Sequence, residues 1–178
     1  MNIKQKSGFT LLESIIYIGI TAVVVLSLIS LAWSFINNHT KEKITISVNN
    51  NASFVMDQIS SNVERAVSLG GATVYDSNPG TLVINVPTDP VMTIDTTTKD
   101  VTFGDEDITI TKLQLTQDGS TYDLTSDKVT VDNFVVTDLS STGDTTIQIE
   151  LTLSYPVATT KIYEYEKSFT TSATIKKK

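Results

Sequence analysis

The first forty positions hold a dense run of apolar residues, whereas Thr and Asp dominate the rest of the chain. No charged residue occurs between Ile15 and Ile36, and the apolar stretch extends back to Phe9. A helix of about 20 apolar residues crosses the roughly 30 Å hydrocarbon core of a bilayer. On an insertion scale the large apolar residues favour the membrane by about 7 kcal/mol, against a cost of about 3 kcal/mol for the Glu13 carboxylate. The pattern therefore predicts a transmembrane helix over residues 9–36.

The helical pattern continues beyond the apolar run. Residues 37–69 are expected to form a polar and then amphipathic extension of the same helix, because apolar residues recur at helical spacing. The predicted apolar stripe consists of Ala52, Val55, Met56, Ile59, Val63, Ala66 and Val67. Polar residues such as Asn62 and Glu64 are assigned to the other side of the helix. Two consecutive glycines, Gly70 and Gly71, are expected to end it.

Residues 70–178 predict a β-rich globular head. Apolar and polar residues alternate in residues 147–155 and 163–175, which indicates a long antiparallel pair of half-buried strands. Shorter strands are expected at residues 81–86, 91–94, 101–103, 108–115, 122–124 and 129–136. Turn-forming residues such as Asp118 and Gly119 separate them. Since each strand has one apolar face, we expect an α+β fold in which an antiparallel sheet packs on the helical stripe.

Composition narrows the classes of function. The 178-residue chain has no Cys and one His, His39, which argues against disulfides, thiolate or multi-His metal sites, and Cys- or His-based catalysis. Its formal net charge of −7 argues against broad binding to nucleic acid. The acidic run at residues 105–107, with Asp100 or Asp76, could offer oxygen ligands to Ca²⁺, but it lacks EF-hand spacing and a solvated turn is favoured. We expect no enzyme activity, no cofactor and no metal site.

The charges around the apolar run predict its orientation. Lys4 and Lys6 precede the run, and no basic residue follows until Lys41. The positive-inside rule then places the N-terminus in the cytoplasm and the head outside. A secretory signal peptide also begins with basic residues, but its apolar region is only about 7 to 15 residues long. We therefore expect the apolar segment to be retained.

The junction between the basic leader and the apolar run carries a motif. Gly8-Phe9-Thr10-Leu11-Leu12-Glu13, followed by about twenty apolar residues, closely resembles the N-terminal signature of type IV prepilins and pseudopilins. The resemblance covers residues 1–36 strongly and the rest only in general layout. It implies that residues 1–8 are a leader peptide, removed after Gly8 by a prepilin peptidase that also methylates the amine of Phe9. Residues 9–36 would then form the core of a filament.

The same resemblance implies the partners and the location of the protein. It predicts a single-pass precursor in the cytoplasmic membrane, contacts with an inner-membrane assembly platform, and a helical polymer of pilin subunits at the cell surface. Such filaments serve adhesion, motility, secretion or DNA uptake, and the sequence does not distinguish among these roles. Many major pilins have a proline where this chain has Ser30 and a glycine where it has Ala22, which leans mildly toward a minor pilin or pseudopilin.

Glu13 is the candidate assembly residue. On a helix it lies about 6 Å along the axis from the amine of Phe9, so the Phe9 amine of a neighbouring subunit could pair with its carboxylate and set the axial stagger. Alternatively, Glu13 is solvated at headgroup depth or pairs with its own amine. Two other classes of protein also stay open: an uncleaved membrane-anchored extracellular binding module, and a substrate-binding or catalytic ectodomain.

Overall fold

The computed structural model of the chain describes residues 10–87, 89–103, 106–142, 144–156 and 164–175. These residues divide into two compact units, of which the first ends at Lys41 and the second begins at Glu42. A long N-terminal helix and two antiparallel β-sheets make up the described secondary structure. The α+β class predicted from the sequence is therefore confirmed.

Helix α1 spans Leu11–Arg65. It is unbroken between Ala22 and Ser30, where neither a proline nor a loop interrupts it. The predicted extension to residue 69 is wrong, because the helix ends at Arg65. Beyond it, the Val67 amide donates a hydrogen bond to the Asn85 carbonyl at 2.9 Å, so the chain satisfies its backbone donors in a sheet instead of another helical turn.

The first sheet has five strands in the order β1-β2-β3-β4-β5, and all neighbouring pairs are antiparallel. The strands are β1 Ser68–Leu69, β2 Leu82–Asn85, β3 Met92–Phe103, β4 Glu106–Gln117 and β5 Ser120–Asp123. The two short strands expected at residues 91–94 and 101–103 are one strand, β3, which pairs with β4 along its whole length. Three consecutive threonines, beginning at Thr96, bridge the gap, and their branched side chains favour extended backbone.

Two glycines fix the local geometry of this sheet. The expected turn at Asp118 and Gly119 joins β4 to β5, and both residues have positive φ, 51° and 75°, as a two-residue hairpin of type I′ requires. Gly70 does not terminate the helix as predicted. Instead it donates a 2.8 Å hydrogen bond to the Val83 carbonyl, and a Cβ at this position would collide with the Val83 side chain.

The second sheet contains β6 Thr130–Asp138, β7 Thr145–Ser154 and β8 Glu166–Ile175, in that order. The predicted long antiparallel pair is confirmed, because β7 and β8 are in register from Thr145↔Ile175 to Ser154↔Glu166. The head thus has two sheets where one was expected. Where β4 passes the start of β6, the Thr111 amide bonds to the Thr130 side-chain hydroxyl at 3.1 Å. At this point the Thr130 hydroxyl, and not a backbone carbonyl of a neighbouring strand, accepts the hydrogen bond of the Thr111 amide.

The second unit has one hydrophobic core, which contains helix residues and residues of both sheets. The helix contributes Val48, Ala52, Val55, Ile59 and Val63, Ala66 directly follows the helix, and the strands contribute large buried side chains that include Leu113, Phe134 and Leu151. Most of the predicted helical stripe is therefore buried. Two assignments are wrong: Val67 is 62% exposed because it lies beyond the helix, and Asn62, placed on the polar side, is buried next to Val63.

Candidate functional site: the apolar helix

The described helix begins with a local cap. Thr10 precedes the first helical residue, and its side-chain hydroxyl accepts a hydrogen bond from the Glu13 backbone amide at 3.3 Å. This is the N-cap arrangement, in which a Thr hydroxyl satisfies one of the amides that have no partner in the first turn. The Thr10 carbonyl accepts the first helical bond, from the Ser14 amide at 3.1 Å. The first turn of α1 is therefore stabilised by a cap within the chain itself.

Glu13 lies in the first turn of α1 and is exposed. An acidic residue is stabilised there by the positive end of the helix dipole, typically by about 0.3–1 kcal/mol. The other predicted site residues, Gly8 and Phe9, lie outside the described residues. Of the predicted assembly pair, the structure describes the Glu13 carboxylate alone.

The large apolar side chains of residues 11–36 are exposed, each between 46% and 79%. They lie on every side of the helix, and the 18-residue window of highest mean hydropathy, 2.6, has no buried residue. A helix that is apolar all round needs apolar surroundings on all sides. This part of α1 is long and apolar enough to cross a membrane.

The small residues Gly19, Ala22, Ser27, Ser30 and Ser34 recur along the apolar helix, where they fit either close packing against another helix or ordinary membrane-helix filler. A Cβ at Gly19 would meet nothing within 4 Å, so the fold of this unit does not require a glycine there. The Ser27 hydroxyl donates to the Val23 carbonyl at 2.9 Å and is thus satisfied within its own helix. Neither Gly19 nor Ser27 needs a neighbouring helix to be stable in α1. Both residues are therefore compatible with close packing and with membrane-helix filler.

A cluster of charged side chains in the head was missed by the sequence analysis. Lys112 on β4 has a side chain that is only 3% exposed, and its Nζ forms ion pairs with Asp123 and, at 2.6 Å, with Asp127. Lys99 on β3 lies 3.2 Å from Asp127 and extends the cluster toward solvent. A signal was present in the sequence, because Lys112 follows Ile108 and Ile110 on the same alternating face of β4.

The cluster is electrostatically compensated. Burial works to lower the pKa of Lys112, but hydrogen bonds to Asp123 and Asp127 outweigh it, and the pKa lies above its ordinary value. The same hydrogen bonds from Lys112 lower the pKa of Asp123 and of Asp127. Lys112, Asp123 and Asp127 therefore stay charged near neutral pH, which suits a structural ion pair and not a proton-transfer site.

The acidic residues considered as calcium ligands do not converge. Asp100 accepts a hydrogen bond from the Thr109 hydroxyl at 2.6 Å, and Asp107 accepts one from the Thr102 hydroxyl at 2.8 Å. These are pairs across the β3–β4 ladder. Within the described ranges, no group of three or more His, Asp or Glu side chains is placed to hold a metal ion. Asp105 lies outside those ranges.

Comparison with known proteins adds no further assignment. The chain matches no protein-family model, no curated protein and no solved structure.

Proposed function

We propose that this chain is a structural subunit of a type IV pilus-like filament. A prepilin peptidase cleaves it after Gly8, and its apolar helix then moves from the bilayer into the core of a polymer of like helices. The observation that carries the proposal is the combination of the residue 8–13 motif with an apolar helix whose large side chains are all exposed. We propose no catalytic role for the head.

The energetics of the helix support assembly as its role. The large apolar side chains of residues 11–36 are all exposed, so their burial has to come from outside the chain. Burial of apolar surface yields about 25 cal/mol per Å² relative to water. Lipid meets this need in the precursor, and neighbouring helices would meet it in the filament. Moving the helix from lipid into the filament would then replace one apolar environment with another. Helix packing and polar pairs between subunits would therefore determine the free-energy difference between the two states.

Glu13 provides such a polar pair. Its carboxylate is exposed in the first helical turn, and Thr10 already satisfies the nearby backbone amide. Removal of residues 1–8 would create a positive amine on Phe9, which the positive end of the helix dipole disfavours. A carboxylate from a neighbouring subunit would neutralise this amine. The pair would compensate both charges and fix the axial position of one subunit against the next.

The first test is the chemical state of the N-terminus. Mass spectrometry of the full chain isolated from cells should find a peptide that starts at methylated Phe9. A mature chain that retains Met1 would contradict the proposal and favour the uncleaved, membrane-anchored binding module. Isolation of sheared surface fibres would then identify this chain as their main polypeptide or as a rare one, which separates a major subunit from a minor pilin or pseudopilin.

The second test addresses Glu13. We expect Glu13→Ala to abolish or strongly reduce incorporation into filaments while cleavage after Gly8 continues, because the variant keeps the helix and loses the pairing charge. Ser14→Ala is the matched control, since it changes the adjacent residue without altering charge and should incorporate normally. Normal incorporation of Glu13→Ala, measured by immunoblotting of sheared fibres, would contradict the pairing role.

A minor subunit of a secretion or DNA-uptake machine is the main alternative within this class. The lack of a proline at Ser30 favours it, and α1 is continuous through that position. The acidic surface bears on the DNA-uptake case. Cleavage removes Lys4 and Lys6 and no acidic residue, so the formal charge would go from −7 to −9. Such a head would not bind DNA broadly through its surface.

A further inference from the structure

The part of helix α1 that belongs to the head has an exposed side with two large apolar residues. In residues 42–65, every large apolar side chain is buried or half-buried except Ile46 and Phe54, which are 50% and 51% exposed. The buried residues of this segment, such as Val55 and Ile59, lie on the opposite side of the helix, because successive residues are about 100° apart. Packing against the head therefore does not account for the two exposed side chains.

Three polar residues lie in line with these two apolar residues. At about 100° per residue, the side chains of Lys43, Ile46, Asn50, Phe54 and Asp57 project within about 80° of one another. We call these five residues the outer stripe, and all of them are exposed. Within the described part of the chain, neither Lys43 nor Asp57 takes part in an ion pair. The outer stripe thus has a positive charge at one end, a negative charge at the other, and two apolar side chains between them.

The charges of the outer stripe are complementary to those of a second copy of the chain. Lys43 and Asp57 are fourteen residues apart, which corresponds to about 21 Å along a helix axis. Two parallel copies in register would place Lys43 opposite Lys43 and Asp57 opposite Asp57, and such like-charge contacts are unfavourable. A shift of one copy by fourteen residues would instead place Lys43 of one copy opposite Asp57 of the other.

An antiparallel pair would also match the charges, and it would place Asn50 opposite Asn50. In that arrangement, however, the apolar segments of the two copies would point in opposite directions. Copies that are anchored in one membrane with their heads on the same side cannot pair in this way. The membrane anchor therefore favours the parallel, staggered arrangement.

The stagger also gives the apolar residues of the outer stripe an apolar neighbour. The residues fourteen positions before Ile46 and Asn50 are Ala32 and Ile36, which belong to the apolar segment of α1. The outer stripe of one copy would thus lie along the end of the apolar segment of the next copy. Ile36 is 60% exposed, so the contact would cover apolar surface on both partners.

We propose that the outer stripe binds a second copy of this chain, parallel and displaced by about 21 Å, with Lys43 of one copy paired to Asp57 of the other. The contact joins two different surfaces, so it repeats from copy to copy and does not close on itself. It rests on the proposed function, because it requires copies whose apolar helices share one orientation. The Glu13 pair corresponds to a displacement of about 6 Å, so the two ion pairs would connect a subunit to two different neighbours.

Charge reversal in cells tests the ion pair. We expect Lys43→Glu and Asp57→Lys each to lower the amount of chain in sheared surface fibres by at least about fivefold, because each replaces an attraction by a repulsion. The double variant with both reversals should recover most of the wild-type amount. The two positions are about 21 Å apart within one chain, so the recovery has to come from pairing between copies. Lys128→Glu and Asp132→Lys are the matched controls, since both residues are exposed and lie outside the outer stripe, and they should assemble like the wild type.

Disulfide cross-linking tests the stagger, and the chain has no native cysteine. In the double variant with Lys43→Cys and Asp57→Cys, each copy offers one thiol to the copy on either side. Mild oxidation of membranes and fibres should then give a ladder of dimers, trimers and longer species on a non-reducing gel. Asn50→Cys should stay monomeric, because residues 50 of the two copies would be about 21 Å apart, beyond the range of a disulfide. A dimer from Asn50→Cys would indicate an antiparallel or in-register pair and would overturn the proposal.

The outcomes distinguish the outer-stripe contact from the proposed function. Absence of the wild-type chain from sheared fibres would contradict the proposed function and, with it, this contact. Wild-type fibres together with normal assembly of either reversed variant, or with no recovery in the double reversal, would overturn the outer-stripe contact alone. Fibres in which the Lys43/Asp57 cysteine variant stays monomeric after oxidation would do the same.

Discussion

Replacing Asp123 and Asp127 together with Asn would leave the ammonium of Lys112 buried without a carboxylate partner. The Lys112 side chain is 3% exposed, whereas those of the two aspartates are 36% and 50% exposed. The positive charge is thus far less solvated than its negative partners. Lys99 would add a second positive charge close by. We therefore expect the double variant to be destabilised chiefly through the lysine.

The magnitude follows from the exposure of each group. Removing one partner of a fully buried ion pair costs roughly 3–5 kcal/mol. The value here is smaller, because both carboxylates are partly solvated and an Asn side chain still offers a carbonyl oxygen to Lys112. We expect about 2 kcal/mol for the double variant and about 1 kcal/mol for Asp127→Asn, which keeps Asp123. Lys112→Met removes the buried charge and keeps the apolar stem, so it should lie within about 1 kcal/mol of the wild type.

The assay is urea unfolding of the full chain in detergent, followed by near-ultraviolet circular dichroism. The tyrosine contribution to this signal reports on the head, because the tyrosines other than Tyr17 lie beyond residue 70, whereas Trp33 reports on the apolar helix. Asp57→Asn with Asp132→Asn is the control, since it removes two exposed carboxylates that are not among the ion-pair partners of Lys112. The reasoning is refuted if the Asp123/Asp127 variant unfolds at the same urea concentration as this control, or if Lys112→Met is equally destabilised.

Three further outcomes are expected in the same assay. First, the cluster should lose its contribution to the free energy of unfolding at both ends of the pH range. Because the pKa values of Asp123 and Asp127 are lowered by folding, this stability is lost as pH falls below about 3.9. Because the pKa of Lys112 is raised by folding, it is also lost as pH rises beyond about 10.4. Lys112→Met should remove most of the alkaline loss, and a profile identical to the wild type would contradict this. Second, Gly119→Ala should destabilise the head by about 1 kcal/mol, because an alanine at positive φ is strained; Ser120→Ala is its control. Third, Ile59→Ala should cost about 2–5 kcal/mol through a core cavity, whereas Ile46→Ala, exposed on the same helix, should cost much less. Similar losses for both isoleucines would show that the helix does not pack as described.

The sequence predicted those elements in which one face is buried and the other is solvated. Strands β7 and β8 were found from strict alternation, and the hairpin turn was found from Asp118 and Gly119, because these patterns are set by local geometry. The central part of β3 was missed since its threonines carry no alternating hydrophobic signal. The end of α1 was misplaced because Val67 and Gly70 have partners in β2, a contact distant in sequence.

The charged cluster shows the same limit for the candidate site. Lys112 on an apolar face of β4 indicated a buried charge, but Asp123 and Asp127 reach it only because a hairpin and a loop return to that strand. Such pairing depends on the tertiary structure. The apolar helix is the opposite case, since its character depends on composition alone, and residues 11–36 of the predicted span are helical. Its start is set by the local Thr10 cap.

Helix α1 contains two kinds of apolar surface, and the difference between them bears on function. In residues 44–63 the buried residues recur every three or four positions, and the head covers them. In residues 11–36 the apolar side chains lie on all sides, so no single flat partner could cover them. Lipid or a bundle of like helices would do so equally well. Glu13 distinguishes a membrane anchor from a filament subunit, because its carboxylate costs up to about 3 kcal/mol in lipid. A simple anchor would gain nothing from that cost, whereas the proposed filament would recover it by pairing Glu13 with the Phe9 amine of the next subunit.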